Sequence, residues 1–261
     1  MLKAQRQEQI VRRLAENGTE SVGDIARALD VSEMTIRRDL EELSERKMVE
    51  RVYGGARLPS GLAASFTTSG IPVMHEYSHL EKRHLHMQQK ARVAACAAQL
   101  IREGESVFLG AGTTVEQMVP HLPAGRLRVI TNSLAVFKLL EGDRSRELYL
   151  VGGLFRERTG CFVGGMAEDA VSSLGIDRAF IGTNGVAGGS LFTSDIDEGR
   201  LQRLAFDRAR ERYAVADASK AGRRDFYAFY RLRDLTALIC DDGLEAERRA
   251  EVGRDTRLIC A

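Results

Sequence analysis

The chain has 261 residues, of which 44% are hydrophobic and 29% are charged, and its formal net charge is +1. This length predicts either one large domain or a small domain joined to a medium one, and the hydrophobic content is sufficient for folded cores. A disordered chain is excluded on these grounds. Because the net charge is close to zero, a nucleic-acid function would have to depend on the local placement of charge.

Local composition disfavours membrane and disulfide-stabilised classes of protein. The longest uncharged apolar run, residues 93–101, is too short to span a bilayer, and the first residues lack the apolar stretch of a signal peptide. The four cysteines are scattered without a C-x-x-C pair, which indicates reduced thiols. We therefore expect a soluble, cytoplasmic protein with no membrane partner.

Two helix patterns open the chain. Ile10 and Leu14 recur at helical spacing, which predicts a first helix over residues 6–14. Ser21, with Asp24 three places later, predicts a capped second helix that ends near Asp30.

A third helix is predicted after Ser32, because serine is a preferred residue at the amino-terminal cap of a helix. Its buried stripe would consist of Ile36, Leu40 and Leu43, which recur at helical spacing. The opposite face of this helix would carry side chains that are available to a partner: Met34, Thr35, Arg37 and Arg38.

Residues 48–58 change from a helical to an extended pattern. Gly54 and Gly55 separate two extended runs, and paired glycines permit the positive φ of a hairpin turn, so this segment predicts a β-wing. Three helices and a wing form a winged helix-turn-helix, whose third helix enters the major groove of DNA.

The candidate DNA contacts lie on the third helix and in the wing. Arginine donates to guanine edges or phosphates, and threonine to a phosphate or a thymine methyl group. The predicted contacts are Ser32, Met34, Thr35, Arg37, Arg38, Arg51 and Arg57. Residues 1–60 contain eleven basic and eleven acidic residues, so a three-helix protein-interaction domain with solvated arginines is the alternative.

The first domain resembles a known family. Arg6, Ile10, Leu14 and residues 32–40 (SEMTIRRDL) resemble the helix-turn-helix signature of the DeoR family in residue type and spacing. The resemblance implies a bacterial transcriptional regulator, usually a repressor of sugar or polyol catabolic genes, whose carboxy-terminal domain senses a phosphorylated sugar. The expected macromolecular partner is double-stranded operator DNA. Since operator half-sites are usually repeated or palindromic, we also expect a homodimer or homotetramer.

Residues 59–74 are predicted to be a linker between a DNA-binding domain at 1–58 and a second domain at 75–261, because residues 59–71 are rich in Ser, Thr, Gly and Ala without an apolar period. Pro72 would open a helix that holds residues 75–86 (HEYSHLEKRHLH).

Residues 75–79 (HEYSH) match the H-E-x-x-H zinc motif. In the extended form of that motif, however, the glycine and the third histidine would fall on Lys82 and Leu85. We therefore interpret HEYSH as a polar helix face and expect no metal site. A zinc metalloprotease stays a weak alternative, and protonation of these histidines near pH 6 is a side hypothesis.

From Lys90 onward, helical and extended patterns alternate, which predicts a parallel sheet covered by helices. The predicted helices are residues 91–101, 114–121 and 133–140, and the predicted strands are residues 106–110, 127–130, 147–151, 179–182, 213–216, 237–240 and 258–260. Ligands of such sheets collect at the carboxyl ends of the strands.

The loop at residues 108–114 (FLGAGTT) leads from a strand into a helix through two glycines and two hydroxyls. Backbone N–H groups and the hydroxyls of Thr113 and Thr114 suit a phosphate there. The loop lacks the Gly-Lys-Thr of a P-loop and the third glycine of a dinucleotide fingerprint. Four other strands also end in polar or glycine-rich loops, at residues 131–133, 152–153, 182–185 and 217–220.

The stretches GAGTT, ITNS, VGG, FIGTNG, SDIDEG and ADASK resemble the DeoR-type sensor domain, which is similar in fold to ribose-5-phosphate isomerase. The resemblance implies that Gly112, Thr113 and Thr114 hold a phosphate, that Lys220 pairs with it or with a sugar oxygen, and that other residues read hydroxyls. Family members often have Asp where Gly110 stands. The predicted effector-binding residues are Gly110, Gly112, Thr113, Thr114, Asn132, Ser133, Gly153, Asn184, Glu198 and Lys220.

An aldose-ketose isomerase is the enzymatic alternative. The isomerase has acidic residues in the loop that here reads Gly-Thr-Asn-Gly at residues 182–185, so the carboxylate base that moves a proton between carbons is absent. Glu198 and Asp217 are the candidate bases that are left. We predict a non-enzymatic sensor without catalytic residues or a cofactor. The expected fold class is α/β: a small winged helix-turn-helix followed by a parallel-sheet domain.

Overall fold

The computed structural model describes residues 3–45, 49–52, 54–57 and 78–261. The chain forms two compact units, Met1–Glu76 and Tyr77–Ala261. The linker prediction and the first three residues of the HEYSH motif lie outside the described residues.

The amino-terminal unit has the predicted order of three helices and a hairpin. Its elements are α1 (Lys3–Asn17), β1 (Thr19–Ser21), α2 (Val22–Leu29), α3 (Glu33–Glu45), β2 (Glu50–Val52) and β3 (Gly55–Arg57). The predicted apolar stripes are buried: Ile10, Leu14, Ile25, Ile36 and Leu40 form its core.

The helix boundaries follow the predicted caps. The hydroxyl of Ser21 accepts a hydrogen bond from the N–H of Asp24 at 3.1 Å, and the hydroxyl of Ser32 accepts one from the N–H of Thr35 at 3.2 Å. Asp30 ends α2 in the left-handed conformation, with φ 52°. Such caps satisfy backbone groups that a helix end leaves without partners.

A buried carboxylate joins α1 to α3. Asp39 is only 1% exposed; its Oδ2 accepts a hydrogen bond from Nε of Arg6. Gln7 donates to Glu42 at 3.1 Å beside this pair. Removing one partner of a buried ion pair leaves an uncompensated charge, so the loss of either Arg6 or Asp39 would weaken the packing of α3 on α1.

The wing has one strand more than the sequence predicts. Its order is β1-β3-β2, and β3 pairs with β1 on one side and β2 on the other. Gly54 has φ +78°, whereas Gly55 already belongs to β3; a Cβ on Gly55 would lie 2.1 Å from the carbonyl oxygen of Glu20. Gly54 therefore supplies the turn, and Gly55 allows close approach of β1.

Gly55→Ala should unfold the wing, because the added methyl group meets backbone rather than a mobile side chain. Gly23→Ala is the matched control: Gly23 lies in α2 and its added Cβ would have contacts of 3.4 Å and longer. Hydrogen-exchange mass spectrometry on the full chain should show faster exchange in residues 19–21 and 50–57 for Gly55→Ala alone. Unchanged protection in that variant would contradict the packing described here.

The carboxy-terminal unit is built on seven parallel strands in the order β15-β14-β12-β9-β4-β5-β6. These strands are β4 (Ser106–Leu109), β5 (Leu127–Thr131), β6 (Arg146–Leu150), β9 (Ile176–Gly182), β12 (Ala209–Ala216), β14 (Ala237–Cys240) and β15 (Leu258–Cys260). All seven predicted strands are confirmed. Two clusters of buried apolar residues cover the two faces of the sheet.

The chain winds outward from β4 in both directions. It passes first to β5 and β6 and then returns to the other side of β4, where β9 pairs with it. β4 and β9 therefore flank a topological switch point, where ligands bind in open α/β sheets.

Helices and smaller sheets complete this unit. The helices are α4 (His79–Arg83), α5 (Met87–Ala98), α6 (Thr113–Glu116), α7 (Leu134–Leu140), α8 (Gly165–Ser172), α9 (Ile196–Arg208) and α10 (Ala246–Asp255). A hairpin joins β7 (Leu154–Arg156) to β8 (Cys161–Val163), and an antiparallel sheet has the order β10 (Gly185–Ala187), β11 (Ser190–Thr193), β13 (Tyr227–Arg231).

Two helix predictions are wrong in detail. The helix predicted at residues 114–121 is a four-residue helix followed by a 3₁₀ turn, Val119–His121, with a proline at its start; proline cannot donate the backbone hydrogen bond that would continue an α-helix. The helix predicted to carry residues 75–86 ends at Arg83, and His86 has φ 51° where α5 begins. His79 to His86 therefore do not form one polar helix face.

None of the helices within the described part of the chain is both long and apolar enough to cross a membrane.

Candidate functional site

The exposed face of α3 is the candidate DNA interface. Met34 is 75% exposed, and Arg37 and Arg38 are exposed beside it. Arg37 lies 3.4 Å from Glu33 on the same helix, a weak surface pair. Ser32 and Thr35 are instead joined to each other, at 2.9 Å between their hydroxyls, so Ser32 is engaged in the cap of α3.

The wing presents one arginine in a surface ion pair and a second exposed arginine. Arg57 lies 2.8 Å from Glu50 on the neighbouring strand, and Arg51 is exposed. Exposed ion pairs contribute about 0–1 kcal/mol. A DNA phosphate could therefore replace Glu50 as the partner of Arg57 at little cost.

A cavity lies in the carboxy-terminal unit at the carboxyl ends of β4, β9 and β12, which are adjacent in the sheet. Six of the ten predicted effector-binding residues line it: Gly112, Thr113, Thr114, Asn184, Glu198 and Lys220. The sheet thus brings together residues as far apart in sequence as Gly112 and Lys220.

The other four predicted residues do not line this cavity. Asn132 donates to the carbonyl oxygen of Phe162 at 3.1 Å, and the hydroxyl of Ser133 caps α7. A Cβ on Gly110 would lie 3.3 Å from Ile181, and one on Gly153 would lie 2.6 Å from the carbonyl oxygen of Val163. That these four residues bind the effector stays a prediction.

Three lysines converge on the cavity, and the sequence indicated only Lys220. Lys82, on α4, donates to the side-chain oxygen of Asn184 at 3.0 Å. Lys90, on α5, donates to the carbonyl oxygen of Lys82 at 2.6 Å. Both lie before the first strand of the sheet, in segments whose pattern is that of ordinary charged helices. Only the fold shows that they belong to the site.

Lys90 is buried, at 3% exposure. Burial lowers the pKa of its amino group to about 8; the charge of Asp217 raises this pKa, and the charges of Lys220 and Lys82 lower it further. A positive charge that is desolvated and repelled by two others is stabilised by an anion.

Asp217 follows β12 and faces these lysines. Burial would raise the pKa of its carboxyl group, but the charge of Lys220 and a hydrogen bond from Ser219 lower that pKa overall. Its Oδ1 accepts from the N–H of Ser219 at 3.1 Å. Its Oδ2 is buried and has no hydrogen-bond partner within the described residues.

Glu198 lies in the cavity wall but is held by neighbouring side chains. Its Oε1 accepts from Arg156 at 3.1 Å, from Cys161 at 3.4 Å and from the hydroxyl of Thr159; its Oε2 accepts from Thr193 at 3.4 Å. Burial and the charge of Glu198 raise the pKa of the Cys161 thiol. This carboxylate therefore ties the β7–β8 hairpin to α9.

The strand-to-helix loop after β4 has the features expected of it. Gly112 has φ +133°, a conformation that L side chains rarely adopt, and Thr113 and Thr114 follow it at the start of α6. At the other end of this helix, Glu116 pairs with Nε2 of His79. The histidine nearest the cavity is thus held by a carboxylate. In the portions of the chain that the structure describes, no group of three or more His, Cys, Asp or Glu side chains is arranged to hold a metal ion.

Comparison with known families follows this division of the molecule. Residues 6–61 match the DeoR-like helix-turn-helix domain, and residues 85–242 match the DeoR C-terminal sensor domain. The chain belongs to the DeoR family. Lactose phosphotransferase system repressors are similar over nearly the whole chain: that of Streptococcus mutans is 37% identical over 92% of this chain and 93% of its own length, and that of Staphylococcus epidermidis is 35% identical over 96% and 97%.

Among solved structures, ribose 5-phosphate isomerase A from Methanocaldococcus jannaschii matches with a TM-score of 0.36 and 19% identity, over 51% of this chain and 54% of that chain. A similarity at this level does not bear on function.

The role of Glu198 in holding the hairpin predicts strong coupling to Arg156, which lies 3.1 Å away. Glu198→Gln and Arg156→Met should each lower the free energy of unfolding by about 1.5–3 kcal/mol, because each removes a charge-assisted hydrogen bond from a mostly buried pair. Asp195 stays 3.3 Å from Arg156 in the first variant. The double variant should cost less than the sum of the two. Urea unfolding of the three variants measures this coupling, and strict additivity would show that the pair does not act as a unit.

Proposed function

We propose that this DeoR-family protein is a transcriptional repressor of a sugar or polyol catabolic operon, released from its operator when a phosphorylated sugar or polyol binds in the cavity. The family supports a DNA-binding regulator with a sensor domain. Its relatives are named repressors of the lactose phosphotransferase system, which supports a phosphorylated carbohydrate as the effector class.

The observation that carries this proposal is the excess of positive charge in the cavity. Lys82, Lys90 and Lys220 line it together, whereas its two lining carboxylates are Asp217 and the already engaged Glu198. A phosphate dianion would offset the repulsion among the lysines. The N–H groups and hydroxyls of Thr113 and Thr114, which line the cavity, would complete its hydrogen bonds.

The remaining polar groups suit the hydroxylated end of the effector. Asn184 and Asp217 lie on the loops after β9 and β12, next to the lysines. A hydroxyl can both donate and accept, so it matches an amide and a carboxylate together.

We further propose that the bound sugar phosphate leaves unchanged. Isomerisation needs a base within reach of a carbon acid. Glu198 is hydrogen-bonded to four side chains, and the pKa of Asp217 is lowered, which weakens it as a base. The cavity therefore supports binding better than proton abstraction.

The first described helix of the carboxy-terminal unit, α4, is the proposed link between effector binding and operator binding. Lys82 on this helix contacts Asn184 in the cavity. An effector that draws Lys82 towards its phosphate would displace α4, and a coupling of about 1–3 kcal/mol would weaken operator binding ~5- to 150-fold.

On the operator, α3 would enter the major groove and the wing would follow the backbone. A homodimer or homotetramer would place two such units on repeated half-sites.

A reciprocal pair of variants tests the division of labour. Arg38→Ala should lower affinity for a duplex selected by the wild-type protein ~10-fold, because one contact to a base or phosphate is lost, and should leave effector affinity unchanged. Lys220→Ala should keep duplex affinity and lose release by the effector. Fluorescence anisotropy with a panel of hexose and pentose phosphates measures both. A folded Lys220→Ala variant that no longer binds the duplex would refute the proposal.

The pKa of Lys90 gives the cavity a pH dependence. Below pH 8 Lys90 is charged before the effector arrives; above pH 8 it is largely neutral, and binding a dianion requires it to take up a proton. Effector affinity should therefore fall as the pH rises from 8 to 9.5, and the phosphate itself, already dianionic, adds no titration there. Calorimetry in two buffers of different ionisation enthalpy measures the proton uptake. In Lys90→Met the uptake should vanish; an identical uptake in that variant would place the titrating group elsewhere.

A further inference from the structure

Gln202 is a cavity residue to which neither the sequence pattern nor the preceding account gives a role. It lies on α9, one turn after Glu198, and its side chain reaches the cavity wall. The residue is 9% exposed. Its Oε1 is buried and has no hydrogen-bond partner within the parts of the chain that the structure describes.

This situation is unusual for a folded protein. Buried polar side-chain atoms are hydrogen-bonded in the great majority of native structures, and an exception indicates strain, function or a missing partner. α9 is a regular helix, and Gln202 belongs to its buried face. The missing hydrogen bond of Oε1 therefore results from where the Gln202 side chain lies in the cavity and not from an irregular helix backbone.

Three neighbouring side chains of the cavity wall, by contrast, have hydrogen-bond partners. Asn184 accepts from Lys82 at 3.0 Å and donates to Asp225 at 2.9 Å. Oε1 of Glu198 accepts from three side chains. Thr183 donates to backbone oxygens at 2.8 and 2.9 Å. These groups would have to exchange a present partner in order to bind a hydroxyl of the effector, whereas Oε1 of Gln202 would not.

We propose that the side-chain amide of Gln202 reads one hydroxyl of the phosphorylated effector and so determines which sugar or polyol the protein answers to. This inference rests on the proposed function. An amide offers an acceptor and a donor, and a hydroxyl matches either one.

The charges nearby narrow the class of ligand. Glu198 lies one turn from Gln202, and Asp217 presents a second carboxylate to the same cavity. A carboxylate on the ligand would be repelled by the carboxylate of Asp217, whereas a hydroxyl can donate to it. The cavity therefore favours a neutral hydroxylated chain on the phosphate over a phosphorylated sugar acid.

The test separates recognition of the phosphate group from recognition of the sugar hydroxyls. The probes are inorganic phosphate, glucose 6-phosphate, galactose 6-phosphate, fructose 6-phosphate, 6-phosphogluconate and the deoxy forms of whichever hexose phosphate binds most tightly. Calorimetry on the full chain compares the wild type with Gln202→Met, which keeps the length of the side chain and removes its amide. Gln202→Asn, which keeps the amide and shortens its reach by one methylene, is the second variant.

Gln202→Met should weaken binding of the tightest hexose phosphate about 5- to 15-fold, as expected for the loss of one hydrogen bond, and should leave the affinity for inorganic phosphate unchanged. In the wild type, one deoxy form should lose affinity by a similar factor; in Gln202→Met the same deoxy form should bind as well as its parent. 6-Phosphogluconate should bind more weakly than the hexose phosphates.

The outcomes distinguish the two proposals. If the wild type binds none of the sugar phosphates, the proposed function fails. If the wild type binds one of them, and Gln202→Met and Gln202→Asn both bind that sugar phosphate as tightly as the wild type does, the proposed role of Gln202 is wrong. The proposed function then still stands. Should both variants unfold, the affinities of the deoxy forms for the wild-type protein test the proposal alone. If no deoxy form binds more weakly than its parent sugar phosphate, the proposal that Gln202 reads a hydroxyl is refuted.

Discussion

The structure of the sensor unit depends on the burial of one ammonium group beside two others. Lys90 is almost completely buried. Its ammonium group donates a hydrogen bond to the backbone oxygen of Lys82, and the negative charge of Asp217 raises its pKa. A protein interior disfavours such a group unless an opposite charge is close. The lowered pKa of Lys90 is the physical sign of this cost. Under the proposed function this cost is preorganisation, because the three lysines line one cavity before an anion binds.

The sheet makes this arrangement possible. Because the chain leaves β4 in one direction and returns to its other side as β9, the loops after β4, β9 and β12 meet above three neighbouring strands. α5 packs against this sheet and carries Lys90 inward, while α4 places Lys82 against the loop that follows β9. α4 is also the first described helix of this unit.

In the smaller unit, α3 likewise combines a fixed buried face with polar side chains that are available to a partner. One face of α3 is fixed by apolar packing and by the buried pair of Asp39 with Arg6. The opposite face presents Arg37, Arg38 and Met34 to solvent. Because the buried face of α3 is fixed by packing, the helix can keep its geometry while the side chains of its exposed face contact a partner.

Much of this fold could be predicted from the sequence because its signals are local. Ser21 and Ser32 cap helices as expected, and buried strands such as Ile176–Gly182 contain continuous apolar runs. The cavity loops were also predictable, since parallel strands place their carboxyl ends together. The contacts of individual polar residues were not predictable. Asn132 donates to Phe162 and Glu198 accepts from Arg156, and no local sequence pattern indicates either contact. That these two residues read the effector stays a prediction. Lys82, Lys90 and Gln202 lie on charged helices, and only tertiary packing brings them to the cavity.

The direct test of the central claim is whether the cavity requires a negative charge on its ligand. Thermal unfolding of the full chain should be followed with galactose 6-phosphate, glucose 6-phosphate and fructose 6-phosphate, each beside its uncharged parent sugar at the same concentration. A ligand that binds only the folded protein raises its unfolding temperature. The account predicts that at least one phosphorylated sugar stabilises the sensor unit and that its parent sugar does not. Equal stabilisation by the uncharged parent would show that the lysines do not hold an anion, and the account would be wrong.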